Sequence, residues 1–269
     1  MVTSFTGRVL AVVYFISQSG FTFFLVTIRR IWRIVRMTYC KSTLLSFCLL
    51  TVLPLSSSAE TNSLTADEKK AGWKLLFDGK SLGGWRNYQG KGVRDGWKVI
   101  DGTIQHTKNG GDIMTSKQYE NFELKLEWKA AEGANSGIFL GVQETGGAIY
   151  ESGIEMQILD NERHPDAKFE KHVSGACYGL YKPPAGADKK AGKWNQVRIL
   201  KEDGHYQFFL NGVKTADFDM DSVDFINRIA NSKFKKWIHF ARYRKGHIGL
   251  QDHGDRVWFR NIKIKEIGK

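Results

Sequence analysis

Cysteine and proline are scarce in this chain of 269 residues, which contains three cysteines and four prolines. Three cysteines cannot build a dense disulfide framework or a cysteine-rich zinc site, so both kinds of small scaffold are excluded. Internal repeats and low-complexity tracts are also absent from the part of the sequence after residue 60. The content of 42% hydrophobic and 25% charged residues is typical of a globular protein. The 28 glycines and 13% aromatic residues favour a fold rich in strands and turns.

Acidic residues are missing from the first 59 positions. This segment carries six basic residues, which are Arg8, Arg29, Arg30, Arg33, Arg36 and Lys41. The rest of the chain has 34 basic and 28 acidic residues, so half of the formal charge of +12 belongs to the amino-terminal segment. Because that segment has the features of a targeting sequence, the positive charge does not indicate nucleic-acid binding, and no nucleic-acid partner is expected.

Residues 37–59 have the three parts of a secretory signal peptide. A polar start with Lys41 is followed by an apolar run and then by small residues that end at Ala59. This pattern predicts an exported protein, periplasmic or secreted, that is cleaved after Ala59. Residues 1–36 are then an upstream extension, either an artefact of an early start or, through the apolar run 9–28, a transmembrane segment that would anchor the protein. Contact with a membrane is expected only through this amino-terminal part.

After a polar leader at 60–72, the sequence predicts one domain over 73–269. An alternating strand is clearest at 122–129, where apolar residues at every second position face a core and charged residues face outward. Two tight hairpins are expected at Asp101-Gly102 and Asn211-Gly212. Further strands are predicted over 136–142, 153–159, 194–201, 247–251 and 257–265.

One segment departs from strand periodicity. Residues 222–237 have helical spacing, carried by Val223, Ile226, Ile229 and Ala230, with Asp221 or Ser222 as the N-cap. Many short strands, two hairpins and one short helix predict an all-β fold, a β-sandwich of the jelly-roll type.

The most informative strand contains Glu155 and Gln157. Their side chains share one face, while Ile154, Met156 and Ile158 occupy the other. The Cα atoms of Glu155 and Gln157 are expected about 7 Å apart, which suits one sugar ring. Asp160 joins this face only if a β-bulge inserts a residue near Ile158 and Leu159. Without the bulge, the segment is a solvent-facing row that ends in a turn, and the spacing alone leaves both interpretations open.

Five ordered segments together resemble a known family. They are Leu76-Phe77-Asp78-Gly79, Asn135-Ser136-Gly137-Ile138-Phe139, Glu155-Met156-Gln157-Ile158-Leu159-Asp160-Asn161, Leu250-Gln251-Asp252-His253-Gly254 and Phe259-Arg260-Asn261-Ile262. The family is that of the secreted bacterial 3-keto-disaccharide hydrolase domains, and the resemblance extends from about residue 72 to the carboxyl terminus. It implies a jelly roll of the concanavalin A-like lectin and glucanase type, related to laminarinases.

The resemblance to glucanases breaks at two positions. Those enzymes carry Glu-x-Asp-x-x-Glu or a form one residue shorter, whereas Gln157 and Asp160 stand here at the second and third positions. A retaining glycosidase needs two carboxyl groups about 5–5.5 Å apart, so direct displacement is disfavoured. The family instead implies chemistry on a sugar oxidised at C3. The ketone makes the C2 hydrogen acidic, a base removes it, the enolate expels the C1 substituent, and water is then added.

The resemblance and the strand pattern together nominate the site residues. Glu155, His253 and Asp160 are the catalytic candidates, with Glu155 or His253 as the base. The substrate-binding candidates are Gln157, Asn135, Arg260, Lys171 and Tyr178, although Arg260 fits a structural ion pair equally well. A divalent cation held by Glu155, Asp160 and His253 is a candidate for stabilising the enolate. No organic cofactor is expected.

These expectations describe a hydrolase or lyase that acts on 3-keto-disaccharides or 3-keto-glucosides. Its partner would be an oligosaccharide or glycoside substrate. Two alternatives stay open, a lectin-like module that binds carbohydrate without reacting and a laminarinase-like glucanase that acts on unoxidised glucan.

Overall fold

A computed structural model of the protein describes residues 10–17, 20–27 and 60–268. The chain forms two compact units, Met1–Leu55 and Ser56–Lys269. In the first unit, strand β1 (Leu10–Ser17) pairs antiparallel with β2 (Gly20–Thr27), so the described residues of the apolar run 9–28 form two strands. Among the helices that the structure describes, none has the length and hydrophobicity needed to cross a bilayer. The predicted signal peptide over 37–59 lies outside the described residues.

The second unit consists mainly of strands. In chain order, its elements are α1 (Ala66–Lys70), β3 (Lys74–Leu75), β4 (Trp85–Asn87), β5 (Trp97–Ile100), β6 (Thr103–His106), β7 (Ile113–Thr115), β8 (Phe122–Ala130), β9 (Asn135–Val142), β10 (Ile154–Leu159), β11 (Asn195–Glu202), β12 (His205–Leu210), β13 (Val213–Asp219), α2 (Val223–Ala230), β14 (His247–Leu250) and β15 (Val257–Glu266). Short 3-10 helices lie at Ile149–Glu151, Pro165–Lys168 and Lys233–Lys236.

The strands form two antiparallel sheets around one core. The smaller sheet has the order β10-β9-β14-β7-β4, and the larger has the order β13-β12-β11-β8-β15-β6-β5, with β3 paired to β15. Leu124 and Leu126 of the larger sheet and Ile138 and Met156 of the smaller one belong to the same buried cluster. Apolar side chains at alternate positions of both sheets therefore meet between them, which confirms the predicted all-β jelly-roll sandwich.

Both predicted hairpins are present. Asp101 and Gly102 have φ values of 49° and 67°, and Asn211 and Gly212 have φ values of 51° and 85°. Two consecutive residues with positive φ define the type I′ turn, whose twist matches that of the flanking strands. The dipeptides that tolerate this conformation therefore set the β5–β6 and β12–β13 registers.

The helical segment is shorter than predicted and buries a different side chain. Helix α2 ends at Ala230, and Ser222 is its N-cap, accepting a hydrogen bond from the Phe225 amide at 3.2 Å. Phe225 is fully buried and stacks on Phe218 at 5.0 Å, whereas Val223 and Ile226 are 75% and 51% exposed. Of the predicted apolar positions, Ile229 packs against the core, but the predicted spacing missed Phe225, which anchors this short helix by stacking on Phe218 and Tyr181.

The polar leader is part of the domain. Helix α1 begins after Thr65, which forms a reciprocal capping box with Glu68. The domain therefore has two short α-helices among its described residues, where the sequence predicted one. Asn62 and Asn261 exchange hydrogen bonds, each amide N–H donating to the side-chain oxygen of the other at 2.6 and 2.8 Å. Residues 60–72 are thereby tied to the last strand of the larger sheet.

Candidate active site

Strand β10 presents Glu155 and Gln157 on the face of the smaller sheet that points away from the core. It pairs with β9 in an unbroken register from Ile154 opposite Leu140 to Leu159 opposite Asn135. The bulge that would bring Asp160 to this face is therefore absent. The shared face of Glu155 and Gln157 follows from the pleat alone, as the sequence indicated.

Asp160 does not join these two side chains. Its carboxylate accepts hydrogen bonds from the amides of Gly133 at 2.7 Å and Glu162 at 3.1 Å, and it is paired with Arg163 at 3.4 Å. Burial opposes ionisation of this carboxyl, but these contacts outweigh it and lower the pKa of Asp160. The nomination of Asp160 as a catalytic residue beside Glu155 was wrong, because without a bulge Asp160 stabilises the turn after β10.

A pocket of about 330 Å³ lies over this face of the sheet. Its floor is polar and consists of Asn135 on β9, Glu155 and Gln157 on β10, and Gln251 directly after β14. The Gln251 amide donates to the Gly137 carbonyl at 3.0 Å, which continues the sheet beyond β14. Three adjacent strands thus contribute one floor.

Several polar atoms of the floor have no hydrogen-bond partner among the described residues. They are both amide atoms of Gln157, Oδ1 of Asn135 and Oε1 of Gln251. Gln157 is only 1% exposed and Asn135 only 5%. A buried polar group without a partner costs about 1–3 kcal/mol, so native proteins leave few of them. These carboxamides are therefore groups that a polar ligand with adjacent donors and acceptors would satisfy.

Glu155 is the buried ionisable group of the floor. Burial raises the pKa of its carboxyl to about 8, and the charges of Asp112 and Asp166 act in the same direction. The positive charge of Lys233 partly offsets this effect. A carboxyl group with a pKa near neutrality can both accept and release a proton during a reaction, unlike an exposed carboxylate.

Aromatic side chains form the walls of the pocket. The rings of Tyr150 and Trp237 lie 5.1 Å apart, and Phe234 and Tyr178 complete the apolar surface. The Nζ atom of Lys233 donates to the Tyr178 hydroxyl at 3.2 Å. Aromatic faces beside polar groups are suited to sugar rings, which have apolar faces and polar edges.

Charged groups stand at the rim. The Tyr178 hydroxyl donates to Asp166 Oδ2 at 3.4 Å, and burial followed by the charges of Asp166 and Glu155 raises the pKa of Tyr178. Lys233 and Lys236 lie on one side of the pocket, and His253 is exposed at its edge. The pocket therefore combines a buried acid–base group with a rim that carries charged side chains of both signs.

His253 belongs to a group that could hold a metal ion. One ligand atom from each of His164, His253 and Asp255 lies within 4.8 Å of the others. The cation site expected from Glu155, Asp160 and His253 is not formed, since only His253 is common to both sets. Nδ1 of His164 accepts a hydrogen bond from the Asp166 amide at 3.1 Å. A neutral imidazole carries one ring proton, which is then on Nε2. To bind a cation through Nε2, the ring must move this proton to Nδ1, and Nδ1 can then no longer accept the hydrogen bond from the Asp166 amide.

Two of the substrate-binding candidates lie away from the pocket. Arg260 is on β15 of the other sheet, where its Nε donates to Glu127 at 2.7 Å and its guanidinium lies 4.0 Å from the Trp194 ring centre. These contacts support the interpretation of Arg260 as a member of a structural ion pair. Lys171 is exposed and does not line the pocket. Asn135 and Tyr178 do line it, together with Gln157.

Sequence reasoning missed several residues of the walls and rim. Tyr150, Asp166, Lys233 and Trp237 lie on or next to the three 3-10 helices, which are far apart in sequence. No periodic pattern connects such segments. The signal that was available is the polar and aromatic content of the loops around β10, because loops above a sheet commonly carry function.

A jelly roll with this pocket of carboxyl, carboxamide and aromatic groups has the architecture of a glycosyl hydrolase. Residues 72–265 match the family model of the 3-keto-alpha-glucoside-1,2-lyase-like domain. The chain belongs to that family. The match covers the whole second unit except for its two ends.

Individual relatives agree with the family match. The chain is 33% identical to a 3-keto-disaccharide hydrolase of Bacteroides thetaiotaomicron, in an alignment covering 78% of this chain and 83% of the relative. A crystal structure from Parabacteroides distasonis, named as a candidate glycosyl hydrolase, is 34% identical with a TM-score of 0.73 and covers 78% of this chain and 100% of that one. A second candidate glycosyl hydrolase from the same species is 33% identical with a TM-score of 0.60, covering 72% and 99%.

Proposed function

We propose that the protein cleaves the glycosidic bond of 3-keto-disaccharides or 3-keto-glucosides through removal of the C2 proton. The observation that carries this proposal is the buried Glu155 carboxyl beside the unpartnered carboxamide of Gln157 at the floor of the pocket. The names of the family and of the Bacteroides relative support the choice of an oxidised sugar. Gln157 in place of a second carboxylate supports elimination over direct displacement.

Each residue has a role in the proposed reaction. The ionised Glu155 carboxylate takes the C2 proton, and its raised pKa makes it a stronger base than an ordinary carboxylate. The Gln157 N–H donates to the C3 ketone oxygen, where negative charge develops. The C1–O bond then breaks as the C1–C2 double bond forms, and a protonated His253 gives its proton to the leaving oxygen. Water adds its hydroxyl to C1 and its remaining proton passes to His253, which restores the acid. Glu155 exchanges its proton with solvent and then protonates C2.

A divalent cation would change the role of His253. Held by His164, His253 and Asp255, it would supply a Lewis acid at the rim. His253 would then be a ligand and would not donate the proton. Activity measured with and without EDTA separates these two forms of the proposal. If His253 is the proton donor, activity should survive removal of metal, and if His253 is a metal ligand, activity should be lost.

The proposal is tested with the purified protein and prepared 3-keto-trehalose and 3-keto-lactose. We expect release of free sugar, a loss of about 100-fold or more in kcat for Glu155→Gln and His253→Gln, and a change below about threefold for the control Asp160→Asn. In deuterated water, deuterium should appear at C2 of the product. Saturable binding without product would indicate a lectin-like module, and turnover of unoxidised glucan would indicate a glucanase. Unchanged turnover in both variants would falsify the site assignment.

We also propose that the protein is exported after cleavage at Ala59. The support for this is the pattern of residues 37–59, with its basic start and apolar centre. Mass spectrometry of the amino terminus of the protein isolated from cells tests it. A mature chain that begins at Glu60 is expected, and an intact segment before Ala59 would contradict the proposal.

A further inference from the structure

Gly137 lies on β9, the strand between the two that carry Gln157 and lead into Gln251. It is directly opposite Gln157 in the β9–β10 pair, and its carbonyl accepts the Gln251 amide on the other side. The residue directly opposite Glu155 is Phe139, two positions further along β9. The floor is therefore flanked by two carboxamides with a glycine between them.

The Glu155 side chain occupies the space above this glycine. A Cβ atom built on Gly137 would lie 2.3 Å from Glu155 Oε1 and 3.0 Å from both its Cδ and its Cγ. Contacts shorter than 3.0 Å do not occur for real Cβ atoms, so any side chain at 137 would displace the carboxyl group. The carboxyl thus lies across the backbone of β9, between Gln157 and Gln251.

The backbone does not require glycine at this position. Gly137 is not among the residues with positive φ, and it lies inside the regular strand β9. Every L-amino acid adopts this conformation. What the glycine provides is space. The group it makes room for is the flexible end of Glu155, so an added methyl group would move that carboxyl and leave the fold intact.

We propose that Gly137 is a positioning residue, which places the Glu155 carboxyl over β9 between the carboxamides of Gln157 and Gln251. This inference rests on the proposed function, in which Glu155 takes the C2 proton while Gln157 holds the ketone one carbon away. The Glu155 carboxyl must then reach C2 while the Gln157 carboxamide reaches the oxygen on C3 of the same ring. Misplacement of a reacting group by about 1 Å can reduce the rate by about 100-fold, so the glycine matters for turnover although it touches no substrate atom.

The first test is Gly137→Ala, with Gly92→Ala as the control. A Cβ atom at Gly92 meets nothing within 4 Å, and its φ is also outside the left-handed region. For Gly137→Ala we expect kcat to fall about 100-fold with KM changed less than about threefold, since the sugar-binding carboxamides are unaltered. The control should keep kcat within about twofold. Circular dichroism and the melting temperature verify that both variants are folded.

The second test is a rescue experiment. Glu155→Asp shortens the side chain by one methylene. Its carboxyl oxygens then lie near the present Cδ position, about 3.0 Å from a Cβ at 137, and the 2.3 Å contact of Oε1 is removed. Adding Gly137→Ala to the Glu155→Asp background should then reduce kcat by less than about threefold, against about 100-fold in the Glu155 background. A merely structural role for Gly137 predicts equal losses in both backgrounds, and that result would overturn the inference.

The third test needs no substrate. The Glu155 carboxyl is titrated by carbon NMR in the wild type and in Gly137→Ala. Displacement toward solvent should lower its pKa from about 8 toward the ordinary value of 4.5. If the wild type turns over no 3-keto sugar, the proposed function fails while this titration still reports on the carboxyl position. An unchanged titration, or a changed titration with unchanged kcat, would overturn the role of Gly137.

Discussion

Replacement of Glu155 by glutamine should stabilise the protein at neutral pH. The glutamine has nearly the same shape as the protonated carboxyl group and carries no charge at any pH. In the folded wild type, burial raises the pKa of Glu155 from 4.5 to about 8. The free energy of unfolding of the wild type therefore depends on pH through this residue, and that of Glu155→Gln does not.

The size of the effect follows from the two pKa values. Below pH 4.5 the carboxyl is protonated in both the folded and the unfolded protein, so it adds no difference. Between 4.5 and about 8 the unfolded chain releases the proton while the folded chain keeps it, which destabilises the wild type as the pH rises. At about 1.4 kcal/mol per pH unit, the wild type loses about 3 kcal/mol by pH 7. Above pH 8 the difference stops growing.

Urea unfolding of both proteins at pH 4, 5.5, 7 and 8.5 measures this difference directly. We expect the variant and the wild type to be about equally stable at pH 4, and the variant to be more stable by about 3 kcal/mol at pH 7. Burial raises the pKa of Asp112 to about 6, but that residue titrates in both proteins, so its own contribution largely cancels. Two curves that stay parallel between pH 4 and 8.5 would refute the assignment of a protonated Glu155.

Three other substitutions separate structural from functional residues. Asp160→Asn should destabilise the protein by about 1–2 kcal/mol at pH 7, because its contacts lower the pKa of the native carboxyl. In urea titrations this difference should shrink as the pH falls below the ordinary value of 3.8 and vanish below the lowered pKa of the folded protein. Arg260→Gln should leave kcat/KM within about twofold, since the side chain is paired on the other sheet; a loss above about tenfold would contradict this. Trp237→Ala should raise KM about tenfold with little change in kcat, and unchanged kinetics would exclude stacking on substrate.

The sequence predicts correctly those features of the fold that depend only on local backbone geometry. The pleat places Glu155 and Gln157 on one face whatever their neighbours are, and the Asn-Gly and Asp-Gly dipeptides select their turns by backbone conformation alone. These features were predicted correctly. Asp160 was different, because its direction depended on a bulge, and a bulge is a property of the pairing with β9 that spacing within β10 cannot reveal.

The walls of the site depended on distant parts of the chain. Tyr150 and Trp237 are 87 positions apart in the sequence, and their rings meet only because the two 3-10 segments line the same pocket. The role of Gly137 was hidden for a related reason. Gly137 has no Cβ atom, and this leaves space for the Glu155 side chain of the neighbouring strand. Only the pairing of β9 with β10 shows that the two residues lie close together.

The unpartnered carboxamides of the floor have a consequence for finding the natural sugar. Gln157 is 1% exposed and its carboxamide has no partner among the described residues, so a sugar that completes its hydrogen bonds should stabilise the folded protein. Binding at 100 times the dissociation constant adds about 2.7 kcal/mol. A panel of oxidised and unoxidised disaccharides can therefore be ranked by the rise in melting temperature, in a protein made inert by Glu155→Gln, before any product is sought.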